Sequence, residues 1–366
     1  MMRFLLILIG LIAYTCFKFV QLSPQHQNWM ISLAHLFYIL MLTPLLINRA
    51  LPKLGKKHWF IFFNWIGTTL IGFWATFIMI SIPIDIIHLF FSLFNKGFIT
   101  QTGYITIFLS AVLMAILGFF EVLRGPKIVE VDIPIKNLPG NLENFKIAQL
   151  SDLHIGPTIK TPYVEKVVAQ TNGTHPDIIV ITGDLVDYHT DLIIKHLQPL
   201  KNLKAKYGVY YVTGNHEYYW GIQKLLPELE KVGMTILMNE NRIIELNGAK
   251  ILLAGIPDPS GMHKPNIAKA SETTTSVDVK ILLTHQPNPY NVAENSGYDL
   301  QFSGHTHAGQ FFPFSLLIPI AHRYYKGLNR HGKMWVYVNP GTGYWGPANR
   351  FGVSAEITLA KLISST

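Results

Sequence analysis

Eight residues in the second half of the chain have the types and spacing to hold metal ions and move a proton: Asp152, His154, Asp184, Asn215, His216, His285, His305 and His307. They fall in five polar clusters, Ser151-Asp152-Leu153-His154, Gly183-Asp184, Gly214-Asn215-His216-Glu217, Thr284-His285 and Gly304-His305-Thr306-His307. Each cluster follows a short apolar run that reads as a buried strand. In open α/β sheets ligands bind at the carboxyl ends of strands, so neighbouring strands would bring all five into one pocket. Glycine directly before Asp184, Asn215 and His305 lets the backbone approach closely there. Asp152 and His154 are two apart, as are His305 and His307; on an extended chain that puts both side chains of a pair on one face. A lone histidine after a strand is more often structural than a ligand. Five such clusters in this order make a metal site. The remaining histidines, such as His175 and His263, are read as structural or solvated.

A carboxylate can use both oxygens, so Asp184 can bridge two cations as an imidazole cannot. Mixed imidazole and carboxylate ligation suits Mn, Fe or Zn better than Ca or Mg. Two cations about 3.5–4 Å apart can clamp the attacking and leaving oxygens of a phosphoryl transfer and bring a bound water to a pKa of about 7. The resulting hydroxide is the expected nucleophile, and no serine or cysteine is placed for that task.

The elements that must position these residues begin near Lys127, where apolar runs start to alternate with glycine- and proline-rich connections. Strands are expected at 146–150, 177–181, 209–212, 235–238, 242–246, 250–254, 279–283, 300–302 and 334–338. Helices are expected at 162–171 and 219–232. Strands alternating with helices, then strands in closer succession, indicate an α/β domain with mixed sheets. The expected organisation is a membrane region over 1–125, a linker and first strand over 126–144, and a catalytic domain over 145–366.

Composition supports that division. Hydrophobic residues make up 49% and charged residues only 14%, against about 25% charged in soluble proteins. The deficit lies in the first third. Four runs there approach the roughly 20 residues that a spanning helix needs: 4–20, 29–47, 59–80 and 104–123. The first is read as a retained span, because no small-residue cleavage site follows it. The stretch from Ile82 to Phe94 is too short to cross again. With Pro83 at its start it is expected to lie in the interface, with Asp85 solvated at the boundary. Arg49, Lys53, Lys56 and Lys57 between the second and third runs place that loop, and with it the rest of the chain, in the cytoplasm. The net charge of +8 comes with no arginine-rich face, so anionic lipid is the expected partner and nucleic acid is not. The single cysteine, Cys16, allows no intramolecular disulfide and no thiolate metal site.

The ordered set Asp152-x-His154, Gly183-Asp184, Gly214-Asn215-His216-Glu217, His285 and Gly304-His305-x-His307 resembles the calcineurin-like metallophosphoesterase superfamily over roughly residues 145–360. The style of its motifs, with Asn339-Pro340-Gly341-Thr342-Gly343, is similar to a branch of membrane-associated bacterial phosphoesterases. The resemblance implies a four-layer α/β/β/α sandwich after the transmembrane region. It implies a first metal on Asp152, His154, His307 and Asp184, and a second on Asn215, His285, His305 and Asp184. His216 is then the residue that contacts phosphate and protonates the leaving group, with Asp152 as its partner. Two departures are Ala308, where this branch has glycine, and Ala355, where proline is expected before Glu356.

Arg350 is a candidate substrate-phosphate contact through its fork of donors. The apolar stretch from Phe311 to Ile318 reads equally as core or as a loop dipping into a bilayer. Together with the spans it makes a lipid or lipid-linked phosphoester the expected substrate, and a bacterial inner membrane the expected location. Three alternatives accompany this reading. One is a pyrophosphohydrolase of the UDP-2,3-diacylglucosamine type. Another is a non-catalytic membrane sensor that binds phosphoesters. The third, a transporter, ranks last for want of buried charge pairs among the spans.

Overall fold

The computed structural model describes residues 2–50, 58–94 and 99–365. The chain divides into a helical unit, 1–120 with 346–351, and a second unit, 121–345 with 352–366.

The helical unit contains α1 (Met2–Leu22), α2 (Gln27–Ala50), α3 (His58–Ser92) and α4 (Gln101–Arg124). Among the described residues, Phe62–Ser92 and Gln101–Arg124 are long and apolar enough to cross a membrane, and Ile9–Leu22 is a shorter apolar helix. Phe19, Phe37, Phe73, Phe77 and Ile107 are buried together in one core. The expected break before Ile82 does not occur: α3 runs unbroken through Pro83. Proline forfeits one helical hydrogen bond but its fixed φ suits a helix, and spanning helices tolerate it where neighbours satisfy the freed groups. Lys53, Lys56 and Lys57, used for the topology argument, lie outside the described residues.

Asp85 is not a solvated boundary residue. Lys18 Nζ lies 2.5 Å from its carboxylate, the Tyr14 hydroxyl donates to it at 2.6 Å, and the Lys18 ammonium sits 4.1 Å from the Tyr104 ring centroid. The pair ties α1 to α3, with α4 supplying the aromatic face. Removing one partner of a buried pair costs about 3–5 kcal/mol, because the other charge is left alone. The cost here falls toward the low end, since the Asp85 side chain is 23% exposed. Lys18→Met is therefore expected to lower the thermal midpoint of the purified protein in detergent. Adding Asp85→Leu should restore most of the loss. A Lys18→Met protein as stable as the parent would show that the pair is not a structural tie.

In the second unit the strands are β1 (Lys127–Lys136), β2 (Lys146–Leu150), β3 (Ile178–Thr182), β4 (Val209–Val212), β5 (Met234–Ile236), β6 (Glu240–Leu246), β7 (Ala249–Gly255), β8 (Val279–Leu283), β9 (Leu300–Ser303), β10 (Gly327–His331), β11 (Met334–Val338) and β12 (Glu356–Ser365). The helices are α5 (Thr161–Gly173), α6 (Thr190–Leu197), α7 (Asn215–Trp220), α8 (Ile222–Lys231), α9 (Ile267–Ala270), α10 (Tyr290–Asn295) and α11 (Ile318–Ala321). One sheet has the order β1-β12-β2-β3-β4-β5 and the other β10-β11-β9-β8-β7-β6. β2 to β5 run parallel, as do β7, β8, β9 and β11.

Strand periodicity builds the layers. Ile147, Ile178, Val180 and Val212 from the first sheet meet Ile251, Leu253, Ile281 and Phe302 from the second in one core. On β7 and β8 the alternate residues Leu252, Ala254 and Leu282 point the other way, toward Ile267 of α9 and Ala293 of α10. Helices α5, α6 and α8 pack together beside the first sheet. The result is a sandwich of two mixed sheets with helices outside, as the resemblance implied. The helix expected over 219–232 is divided at Gly221, whose φ of 98° ends α7 and starts α8.

Candidate metal centre

All five clusters leave the carboxyl ends of β2, β3, β4, β8 and β9, central strands of the two sheets. They do not continue as strands. Asp152 (φ 52°), His154 (52°), Asp184 (48°), His305 (71°) and His307 (48°) all adopt left-handed backbone. This corrects the expectation that strand alternation aligns each pair; tight turns aim the side chains instead. Such conformations cost energy for residues with a Cβ and persist where the surroundings over-determine them, commonly at functional sites. Here the surroundings are backbone bonds: Asp152 N–H donates to Gly183 O and His154 N–H to Asp184 O, both at 3.0 Å. Two glycines allow the approach. A Cβ on Gly183 (φ 84°) would sit 2.5 Å from Gly214 N, and one on Gly304 would sit 2.2 Å from Asp152 Oδ2. Ala308 has φ 50°, which accounts for glycine being the branch's usual residue there.

The ligand candidates form two groups of donors, each with its atoms mutually within 4.8 Å. Asp152, His154 and His307 make the first. His154 Nε2 lies 3.0 Å from His307 Nε2, and His307 Nε2 lies 3.3 Å from Asp152 Oδ1. Asp184, His285 and His305 make the second. Asn215 Oδ1 completes it, 3.2 Å from His285 Nε2 and 3.1 Å from His305 Nδ1. Asp184 Oδ2 faces both groups, 3.2 Å from His285 Nε2 and 3.9 Å from His154 Nε2. A third triplet, His154, Asp187 and His216, is of another kind, because Asp187 is engaged by the His216 ring and the Trp220 indole.

The donor chemistry fits divalent cations. His285 Nδ1 lies 2.8 Å from Thr182 O; a carbonyl only accepts, so Nδ1 carries the proton and Nε2 presents its lone pair to the group. Histidine ligands are commonly oriented in this way. Burial, reinforced by neighbouring imidazoles, pushes His154 well below the ordinary histidine pKa and His305 down to about 4, which keeps both as neutral donors. Burial opposes charge on Asp152 and Asp184, but the surrounding histidines outweigh it and hold both below the usual carboxylate range. His285 moves the other way: Asp184 overcomes the effect of burial and raises it.

His216 is placed by its backbone, which donates to Asp184 Oδ1 at 2.9 Å. Its ring partner is Asp187, not Asp152. Nδ1 lies 2.8 Å from Asp187 Oδ1, which also accepts from Trp220 Nε1 at 3.0 Å. Asp152 is occupied elsewhere, accepting from the Ser151 hydroxyl and from His305 N–H while facing His307. Burial disfavours a charged His216, but the bond to Asp187 and the nearby carboxylates prevail and raise its pKa. Arg350 belongs to the helical unit, where its side chain is buried and its backbone N–H donates to Gly118 O of α4.

Glu217 closes the third cluster, after His216. It is fully buried and accepts from Gly214 N–H (2.6 Å), Leu185 N–H (2.7 Å), Asp184 N–H (3.1 Å) and Val186 N–H (3.4 Å). One side chain thus fastens the turn that carries Asp184 to the turn that carries Asn215 and His216. Burial and the Asp184 charge raise it to about 7, against the pull of those N–H groups. Each buried N–H left without an acceptor costs about 1–3 kcal/mol. Glu217→Ala is therefore expected to destabilise the protein by about 3 kcal/mol or more and to lower its metal content. Unchanged thermal midpoint and metal stoichiometry would rule out this clamp.

This fold and this donor set are those of a metallophosphoesterase, and the comparisons agree. The profile of the calcineurin-like phosphoesterase family matches residues 145–309. A metallophosphoesterase of Helicobacter pylori (strain J99) is 41% identical over 252 residues, 67% of this chain and 66% of that protein. The Danio rerio transmembrane protein with metallophosphoesterase domain is 34% identical over 276 residues, 72% of this chain and 63% of that one. A metallophosphoesterase of Aquifex aeolicus is 33% identical over 244 residues, 64% of this chain and 91% of the relative. The chain belongs to the calcineurin-like phosphoesterase family. Its relatives are bacterial and animal alike, and the matches to the first of them span about two thirds of their length or slightly less. Family members are phosphoester hydrolases that normally use two divalent metals, and this chain has the candidate ligands.

Proposed function

We propose that this chain is a membrane-anchored hydrolase of phosphodiesters or pyrophosphates, with two divalent cations at the site and a lipid or lipid-linked substrate. The supporting observation is Asp184, whose Oδ2 faces both donor groups while its Oδ1 holds the backbone of His216. Two cations bound there, with manganese the first choice, would neutralise phosphoryl oxygens and acidify a water. Asp152, His154 and His307 would hold one, Asn215, His285 and His305 the other, with Asp184 shared. The chain's own residues then supply alignment and a proton. Asp187 fixes the His216 imidazole through Nδ1, which leaves Nε2 turned toward the site, 3.9 Å from Asp184 Oδ2. From Nε2 a proton passes to the departing oxygen. The intact set of ligands and acid argues against a non-catalytic sensor. The helices and the transmembrane relatives support a membrane location, for which we infer the bacterial inner membrane with the domain on the cytoplasmic side.

The test is turnover by the purified, manganese-loaded full chain of four substrates: a monoester, a diester, a phospholipid and a nucleotide-linked lipid. Faster cleavage of the diester or of a lipid-linked substrate than of the monoester is expected. Preference for a soluble monoester, with no cleavage of either lipid, would overturn the substrate reading.

A further inference from the structure

The second unit exposes one apolar segment beside the site. After the buried Phe311, residues Phe314–Leu316 and α11 form two short turns. Leu316 (63% exposed), Leu317 (48%) and Ile320 (83%) project into solvent with Phe314. A contiguous group of large apolar side chains on a surface commonly marks an interaction site. The charge in its stretch of the sequence has one sign. From Leu300 to Ala355 the sequence contains no aspartate or glutamate, whereas Arg323, Lys326, Arg330 and Lys333 all follow the segment. Arg323 and Lys326 are exposed and lie against Tyr324 and Tyr325. Apolar side chains followed by cations and tyrosines are the composition of a segment seated at an anionic lipid surface.

Both ends of this segment are fastened to the site. Gln310 and Trp345 exchange two hydrogen bonds, Gln310 Nε2 to Trp345 O at 2.8 Å and Trp345 N–H to Gln310 Oε1 at 2.7 Å. The Trp345 ring faces that of His216, with centroids 5.7 Å apart. At the other end Thr306, between His305 and His307, donates to Tyr325 O at 2.6 Å, and the His322 ring meets that of His305 edge-on at 5.8 Å.

We propose that residues 314–326 are a membrane-seating loop: Phe314, Leu316, Leu317 and Ile320 enter the interface of an anionic bilayer, and Arg323 and Lys326 engage its headgroup phosphates. The loop deepens the lipid-substrate reading above, since it would present a headgroup phosphoester to the site that holds its ends. In the same polypeptide only Gly125 and Pro126 separate the membrane-candidate helix α4 from β1.

The experiment places an environment-sensitive fluorophore on the full chain in nanodiscs of phosphatidylcholine with or without phosphatidylglycerol. Cys16→Ala removes the native thiol, and Ile320→Cys carries the label. Met262→Cys, on an 82% exposed residue of the same unit, is the control. At position 320 the expected result is blue-shifted emission quenched by nitroxide-labelled acyl chains, stronger with phosphatidylglycerol. Position 262 should stay aqueous and unquenched. Reversing charge with Arg323→Glu and Lys326→Glu should cut the inserted-to-free ratio on the order of tenfold. Aqueous emission at 320 would overturn the proposal. So would blue-shifted emission that lipid nitroxides do not quench, since that indicates cover by protein. Quenching insensitive to lipid charge and to the double reversal would overturn the headgroup contact. None of these readouts needs a substrate, so a failed loop and a failed activity reading are told apart.

Discussion

Asp184→Asn is expected to empty both halves of the centre at once and to bring hydrolysis to background. The substitution keeps the shape of the side chain but removes its charge and replaces one acceptor with a donor. In one orientation the amide NH2 takes the place of Oδ2 and points hydrogens at the space between His285 Nε2 and His154 Nε2, now 3.2 and 3.9 Å from an oxygen. In the other it takes the place of Oδ1 and opposes the backbone N–H of His216, now 2.9 Å away. The first orientation leaves no acceptor between the two groups, and the second keeps only a neutral oxygen there while opposing the His216 backbone, so each weakens the bridge. Changing a residue that merely supports a ligand weakens metal binding about 10–100-fold, so losing a ligand shared by both positions should exceed about 100-fold. The primary readout is metal content after dialysis against buffered manganese, with turnover as the second. Asp187→Asn, which alters no proposed ligand, should retain its metal. Parental stoichiometry and affinity in Asp184→Asn would remove the bridging role.

The candidate ligands were legible in the sequence because each sits within a few residues of the strand that delivers it. Local pattern carries such information: an apolar run, a glycine, then a donor. The partners of those residues were not legible, because they are set by turns and by strand order. Asp187 reaches His216 only because the turn after β3 folds beside the start of α7, and Glu217 meets Leu185 across the same gap. The resemblance implies Asp152 as the partner of His216, but the His216 ring meets Asp187 instead, and Asp152 is engaged by Ser151, His305 N–H and His307. In the fold, the first strand expected within 126–144 is β1, but its bounds and its partner β12 were not legible: the two lie far apart in sequence, pairing Lys127 with Glu356, and β1 is exposed along most of its length, so no buried apolar run marks its ends. In the helical unit Pro83 reads locally as a break, but α3 continues through it. The pairing of Asp85 with Lys18, 67 residues away, is not encoded in the local sequence of either.

His216 and Asp187 can be separated by the leaving group. If His216 donates a proton to the departing oxygen, His216→Asn should slow hydrolysis of an alkyl diester by about 10²–10⁴-fold, the usual range for a general acid. A p-nitrophenyl diester releases a stable anion that needs no proton, so its turnover should fall much less. Asp187→Asn should lie between the parent and His216→Asn with the alkyl substrate. Its amide oxygen can still accept from the imidazole, but the negative charge is gone, and a loss of about 10–100-fold is expected, as for supporting partners of functional histidines. The sign of its pH effect follows from the cause of the shift. The bond to Asp187 is the leading influence that raises His216 against burial. The acid must be protonated to act, so activity falls as pH rises through its pKa. Without the Asp187 charge that pKa drops, and the alkaline limb of the kcat/KM profile should move to lower pH for the alkyl diester while the metal content is unchanged. Equal losses with both leaving groups would show that His216 binds phosphate without protonating the product. An unmoved alkaline limb in Asp187→Asn would show that Asp187 holds the imidazole in place but does not tune it.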